Sequence, residues 1–486
     1  MTSLASSPAG IESAAARAAR FSPAARTLAF ATVSVAFFMD VLDGTIVNVA
    51  IPAIRGNLGA GDIAVQWMVA GYSTAFAILL IGGGRLGDLL GYRRMFVGGM
   101  AAFTLASALC GFAQTPTQLV LARLFQGATA ACMGPQVLAI IQLLYPPAER
   151  VRMLSFFGLL GGLAAVLGPV IGGALIEADI AGLGWRTIFL INLPVGFAGI
   201  VAGTWLLPGG RSAHPLRFDL AGNALVVLLL FALVFPLVEG RQLGWPWWCW
   251  TLLLATVPIA AWLLAHLRQR MARVGSALVD PAIFRERSFG NGLLTSVAFA
   301  SASSGFLLVL TMLLQVGLGL DPLAAGLAHM PLAIGVGTGV SLLGRRIVSR
   351  LGRSVIAVGA GGMILGVIGL AATVLLGWPI AATEACLFVA GLGMGTISGP
   401  LSPIALSRID KHHAGAASGT LKTVQQLGAA LGAASVGTLF FVIAGGAVQA
   451  GPTRHGFVAA AGAVAVLLLL VAALSQRFPR KLFDQT

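Results

Sequence analysis

Asp40 and Asp43 stand three residues apart in an otherwise apolar stretch, followed by Thr45, Asn48 and Pro52. Three residues is close to one helical turn, so both carboxylates fall on roughly one face. Ionisable groups inside apolar helices are costly and tend to mark function. The chemistry on offer is proton carriage. A carboxyl group's ionisation responds to burial and to nearby cations, so a change of exposure would switch it between holding and releasing a proton. The competing reading is plain pairing with a basic neighbour or, for Asp40, a shallower position. A second set is Arg123, Gln126 and Gly127 in another apolar run. Arginine keeps its proton, so it needs a partner or a wet cavity.

The elements that would hold these groups follow from composition. The 486 residues are 58% hydrophobic and only 9% charged, with a mean hydropathy of +0.93. Soluble domains carry roughly 25% charged residues. Apolar runs of about 20 residues match the hydrocarbon thickness as helices and are too long for barrel strands. The predicted fold is therefore an all-α polytopic membrane protein. Fourteen spans are expected, near 28–51, 64–82, 95–113, 118–144, 153–176, 187–207, 219–238, 248–267, 290–315, 323–343, 354–377, 382–405, 415–444 and 457–476. With alternating directions, Asp43 (nine residues before Pro52) and Arg123 (about five residues into span four) lie within roughly 5 Å in depth. An ion pair between them is geometrically allowed.

Charge supports the even count. Most of the 30 Lys and Arg residues fall in tails and loops on one side, including Arg93, Arg94, Arg150, Arg268, Arg270, Arg345 and Arg353. Arg55, Arg186, Arg241 and Arg454 fall on the other. The positive-inside rule then places both termini in the cytoplasm, with the chain multi-pass in the cytoplasmic (inner) membrane. The net charge of +14 is accounted for by these loops, so no nucleic-acid partner is expected. Trp245, Trp247, Trp248 and Trp250 suit an interface belt at the start of span eight. The four cysteines read as small apolar residues, and no retained helix is mistaken for a cleavable leader.

A weak internal echo links Gly84–Arg94, after span two, with Arg345–Arg353, after span ten. Gly91 aligns with Gly352, and Asp88 with Ser349. The offset fits two six-helix bundles, 28–207 and 290–476, separated by two additional helices at 219–267 and a cytoplasmic loop at 268–289, with tails 1–27 and 477–486. Two halves around a central cavity are a common basis for alternating access.

Further candidates are weighed against plainer roles. Asp88 with Arg93 and Arg94, in a turn bounded by Gly84 and Gly91, would form a charge network closing a cytoplasmic gate; the plain alternative is a solvated loop. Gly158, Gly161, Gly162, Gly168, Pro169, Gly172 and Gly173 give span five close backbone approach and a bend. That serves a moving interface and a static crowded bundle equally. Lys422 in span thirteen, near Gln425 and Gln426, either snorkels to the interface or meets an anionic group of substrate or gate. His329, Glu384, Glu149, Glu177 and Asp179 near span ends are read as loop or interface residues. Gly82–Gly84 lacks the ending of a phosphate loop. No metal cluster, nucleophile triad or nucleotide-binding domain is visible, so neither cofactor nor enzymatic activity is expected.

Taken together, these stretches resemble the major facilitator superfamily, and specifically its fourteen-span drug:proton antiporter group of bacterial multidrug efflux proteins. Leu42–Pro52 is similar to that group's span-one signature. Gly84–Arg94 is similar to the superfamily's cytoplasmic-loop motif, Arg123–Gly127 to its span-four proton-relay motif, and Gly158–Gly173, around Gly168–Pro169, to the antiporter motif. Trp185–Arg186 and Phe189–Pro194 match a further habitual stretch. The resemblance implies coupling roles for Asp43 and Arg123, with Asp40 as a further acid and Gln126, Asn48 and Thr45 as support. It implies a gate role for Asp88 and an occluding helix around Pro169. It also implies exchange of protons for hydrophobic small molecules by a monomer embedded in lipid. Lys422 and Gln425 depart from the pattern, which relocates a cation by one turn and alters the substrates tolerated. Asp40 as the one further deep acid, with Glu384 near an outer end, points to neutral, zwitterionic or anionic substrates. A dedicated exporter of an endogenous metabolite, lipid or siderophore, and a non-transporting scaffold or sensor, stay open.

Overall fold

The computed structural model describes residues 22–210, 219–240, 243–275, 277–343, 351–409, 414–445 and 450–478. With no water in a bilayer core, the backbone must satisfy its own hydrogen bonds, and these apolar runs do so as helices. They are α1 (Pro23–Leu58), α2 (Asp62–Leu90), α3 (Tyr92–Gly111), α4 (Pro116–Leu144) and α5 (Pro147–Glu177). Then come α6 (Gly184–Leu206), α7 (Leu220–Glu239) and α8 (Trp247–Val274). The rest are α9 (Arg287–Gly317), α10 (Pro322–Ser341), α11 (Ser354–Leu376), α12 (Ile380–Leu406), α13 (Ala414–Ala444) and α14 (Ala450–Ser475). Among the described residues, 13 helices are long and apolar enough to cross a membrane. The exception is α5, a continuous helix of 31 residues, of which Leu167–Glu177 qualifies as a shorter apolar helix. The chain is a multi-pass, all-α membrane protein.

Local chemistry sets the ends. Side chains of Ser22, Thr115 and Asp321 cap the starts of α1, α4 and α10, satisfying amides that a helix leaves open. Gly59, Gly275 and Gly377 end α1, α8 and α11 in the left-handed conformation, which glycine adopts without Cβ strain. Trp245 to Trp250 form the turn and first residues of α8, with Trp247 and Trp250 exposed. Only Cys249 and Leu267 of α8 are buried, so this helix presents most of its apolar surface outward.

Several boundaries move from expectation. Residues 268–274, assigned to a loop, continue α8. The expected turn around Asp88 is helical as well: α2 runs through Leu90, and the chain turns only at Gly91 with φ 99°. Arg85, Leu86, Leu89 and Leu90 favour helix and outweigh the glycines before them. Of the second half of the echo, residues 344–350, including Arg345, Arg346 and Ser349, lie outside the described residues, as do Arg241 and Lys411. Residues 1–21 and 479–486 lie outside them too.

Within α1–α6, α2 packs on α4, α3 on α4 and α6, and α1 on α5. Within α9–α14, α9 packs on α13 and α14, and α11 and α10 on α12. α7 pairs with α8 and also touches both α2 and α13. The helix ends near Pro52, Asp62, Pro116 and Glu239 share one side of the molecule, called here the Asp62 side; the opposite is the Asp88 side. On the Asp62 side α5 meets α10 through paired close approaches, Gly173 on the Pro322 carbonyl and Gly326 on the Pro169 carbonyl. There Gln315 Nε2 donates to the Val49 carbonyl at 2.7 Å, and Thr438 Oγ1 donates to Gln66 at 3.2 Å.

Candidate functional site

The structure brings Asp43 and Arg123 together. Arg123 Nη1 lies 2.6 Å from Asp43 Oδ2, with side-chain exposures of 1% and 0%. Gln126, one helical turn along α4, joins both: its Oε1 accepts from Arg123 Nη1 at 2.6 Å and its Nε2 donates to Asp43 Oδ1 at 2.9 Å. Asn192 Nδ2 donates to the same oxygen at 2.9 Å. Ser107 Oγ accepts from Gln126 at 2.9 Å and from Asn192 at 3.3 Å. Arg123 Nε donates to the Met68 carbonyl at 3.2 Å. The guanidinium lies 4.3 Å from the Tyr72 ring centre and 5.8 Å from that of Phe189.

Five helices thus converge on one carboxylate: α1 gives the acid, α4 the arginine and amide, α3 and α6 the remaining polar side chains, and α2 a carbonyl and a ring. A buried charge is tolerable only when paired and hydrogen-bonded, and every side of this one is met. Asp40, 60° around α1, takes a separate partner: Tyr72 donates to it at 2.7 Å. Because Tyr72 also stacks on Arg123, the two acids are joined through one aromatic ring. Lys422 is exposed and has no hydrogen-bond or ion-pair partner among the described residues.

Other expectations fare differently. Thr45 and Asn48 are not part of the Asp43 network. They sit two and five residues along the helix, 200° and 140° away in projection, on other faces. Thr45 bonds back to the Leu42 carbonyl at 3.1 Å and lies against Gly168; the Asn48 side-chain oxygen is buried without a partner among the described residues. Asp88 meets Tyr92 at 2.9 Å and Arg85 at 4.0 Å, whereas Arg93 and Arg94 are exposed and pair with no acid among the described residues. Gly84 faces Pro135. On α5, Gly168 and Gly172 let α1 approach; Gly158 and Gly162 lie in the same helix, their surroundings outside the described set. Gln425 donates to Ser402 at 3.4 Å, and Gln426 is half-buried.

Sequence reasoning missed Ser107, Tyr72 and the site role of Asn192. Asn192 had a signal, being the one amide in the apolar run Thr187–Leu206; Ser107 had none, since serine is common in membrane helices. His329, read from the sequence as a loop or interface residue, is buried at the break in α10 with Nδ1 2.7 Å from the Ala325 carbonyl.

A second buried acid, Asp219, lies just before α7. It accepts from the Gly222 amide at 2.9 Å and the Leu278 amide at 3.3 Å, with His266 at 3.0 Å and Arg270 at 3.5 Å. Burial opposes its charge, but the Gly222 amide, His266 and Arg270 outweigh this and hold the carboxyl below the usual carboxylate range.

Long apolar helices around a buried, hydrogen-bonded ion pair define the class as a polytopic membrane protein. The chain belongs to the Major Facilitator Superfamily, whose profile matches residues 33–433. It is 42% identical over 428 residues to the probable actinorhodin transporter of Streptomyces coelicolor, covering 87% of this chain and 74% of that one. It is 34% identical to the puromycin resistance protein pur8 of Streptomyces alboniger, covering 86% and 81%. It is 31% identical to the tetracenomycin C resistance and export protein of Streptomyces glaucescens, covering 84% and 74%. In fold it is similar to a bacterial homolog of the human lysosomal transporter Spinster in an inward-facing, unoccupied conformation, with a TM-score of 0.68 at 16% identity over 96% of this chain and 100% of that one. The protein is a multi-pass transporter related to antibiotic-resistance and multidrug transporters of the superfamily.

Proposed function

We propose that the protein is a proton-coupled antiporter of the fourteen-span drug:proton group, exporting hydrophobic small molecules across the cytoplasmic membrane. On this reading two six-helix bundles, α1–α6 and α9–α14, flank the additional pair α7–α8, and both termini lie in the cytoplasm. The Asp62 side faces outward, and its paired contacts between α5 and α10 make this an inward-facing state.

The observation that carries the proposal is the Asp43 carboxylate, sealed from solvent and held by three side chains from two other helices. A proton arriving on Asp43 competes with Arg123 for the same oxygen. Once neutral, the carboxyl no longer fixes the guanidinium, which keeps Gln126 and the Met68 carbonyl as alternatives. Helix movements that separate α1 from α4 would reverse the exchange. Proton binding and substrate binding then act through one conformational equilibrium, and linkage requires each to change the other's affinity by the same factor.

A dedicated exporter of one metabolite is the second reading. The names of two relatives, a probable actinorhodin transporter and a tetracenomycin C resistance and export protein, favour it. The two readings share one engine and differ in breadth of substrate.

The test is flux of dyes and antibiotics in sealed vesicles with an imposed pH gradient. Wild type exports along the gradient, and Asp43→Asn falls to background with no pH dependence. Absence of gradient-driven export by wild type, or full export by the Asn variant with an unchanged pH profile, removes the proposal. One compound exported out of a varied panel selects the second reading.

A further inference from the structure

Away from the Asp43 network, α2, α4 and α7 enclose a cleft of about 1040 Å³. It runs from Gly61 and Pro116 on the Asp62 side down to Ile78, about 25 Å along α2 at 1.5 Å per residue. Its walls are apolar, and Leu121, Val227 and Phe231 are exposed along it, so it opens sideways to the lipid.

Three features distinguish it from a plain seam between helices. Glu239 lines its mouth. One carboxylate oxygen accepts from Trp67 Nε1 at 2.7 Å, and no cation pairs with Glu239 among the described residues. Beside the acid stand aromatic rings: Phe231 stacks on Phe235 at 4.9 Å, and Phe235 lies 6.3 Å from Trp67. Deeper in, Thr74 also lines the cleft; it is 7% exposed, and its hydroxyl has no partner among the described residues.

An acid next to electron-rich ring faces, above an apolar channel, is the chemistry that recognises a positive charge on a hydrophobic body. A phosphate head group fits poorly. Of the described arginines at this end, Arg55 is paired with Asp62 at 3.0 Å and lies over Phe441, Arg186 bonds to Asn57, and Arg454 bonds to the Gly317 carbonyl. We propose that this cleft is a binding site for a lipophilic cation entering from the bilayer, separate from the Asp43 site, with Glu239 holding the charge. The site depends on α7, which supplies one wall and the acid. The same helix is tied to α13 where Thr438 donates to the Leu237 carbonyl at 3.3 Å.

The inference stands apart from proton coupling and is tested by binding. Bromine quenches tryptophan on contact, and Trp67 reports from the cleft. Purified full-length protein in nanodiscs is titrated with 11-bromoundecyltrimethylammonium, 11-bromoundecanol and 11-bromoundecanoate, and Trp67→Phe isolates that residue's share of the signal. The cation is expected to quench saturably and about tenfold more tightly than the alcohol, with the carboxylate weakest. Glu239→Gln, which keeps an acceptor for Trp67, removes the preference. Val227→Phe, which fills the channel, lowers binding of all three probes and carries the test if the Gln variant does not fold. Asp43→Asn leaves the titration unchanged. Equal quenching by the three probes overturns the proposal, whether bulk lipid chains fill the cleft or Arg241, outside the described residues, covers Glu239. Cation binding that survives Glu239→Gln, or vanishes in Asp43→Asn, overturns it as well.

Discussion

Asp43 and Asp219 are both buried carboxylates facing arginines, yet their partners differ in kind. Asp43 is held wholly by side chains, Arg123, Gln126 and Asn192, carried on two other helices. Asp219 is held first by two backbone amides, those of Gly222 and Leu278, with His266 and Arg270 added. The Gly222 amide, in the first turn of α7, cannot swing away without unfolding that turn. The first arrangement can be exchanged, and the second acts as a clasp fixing the α7–α8 hairpin to the segment before α9. On the proposed proton coupling, buried charge alone does not mark the site; what marks it is whether the partners can leave.

The largest effect expected from this contrast is in Asp43→Asn, which loses gradient-driven export while Asp219→Asn keeps it. Near-complete loss of export in both variants, measured in the same vesicles with matched protein levels, would erase the distinction. Arg123→Lys comes next. It keeps the charge but loses the fork that spans Asp43, Gln126 and Met68, so export is expected to fall about tenfold or more with folding intact.

For Asp219→Asn the readout is stability. Loss of the charge-assisted bonds should cost about 1–3 kcal/mol, seen as a lower melting temperature at neutral pH. The sign with pH follows from the held-down carboxyl. Its contribution is present above the usual carboxylate range and disappears as acid titrates the folded group, so wild type and variant should converge on acidification. Asn192→Ala removes one of three contacts to Asp43 and should shift the pH profile of export while leaving the substrate spectrum alone. The smallest effect on rate is expected for Lys422→Asn. On the reading that Lys422 meets anionic groups of substrate, it changes which dyes are exported more than how export depends on pH; an unchanged spectrum over a chemically varied panel counts against that role.

How much of this could be read in the chain depends on the kind of signal. The Asp43–Arg123 pair was legible because two charges in apolar runs must find each other, and depth alone brought them level. Gln126 followed from its position one turn along α4. Thr45 and Asn48 misled because they share a stretch with Asp43 but not a face. Asp88 misled in another way: glycines suggested a turn, while the leucines and arginine around them kept α2 helical to Gly91. Ser107 and the Tyr72 ring carried no sequence signal, since their importance comes from which helix lies opposite. Asp219 was hidden by its place at a predicted helix start, where an acid is ordinary capping chemistry.

The contact between α5 and α10 has a consequence of its own. Each helix lays a glycine on the carbonyl of a proline in the other, Gly173 on Pro322 and Gly326 on Pro169, leaving no room for even a methyl group. Any bulkier residue there would act as a wedge driven into a closed door. On the proposed alternation between two openings, two missing side chains would then set how long the latch stays shut.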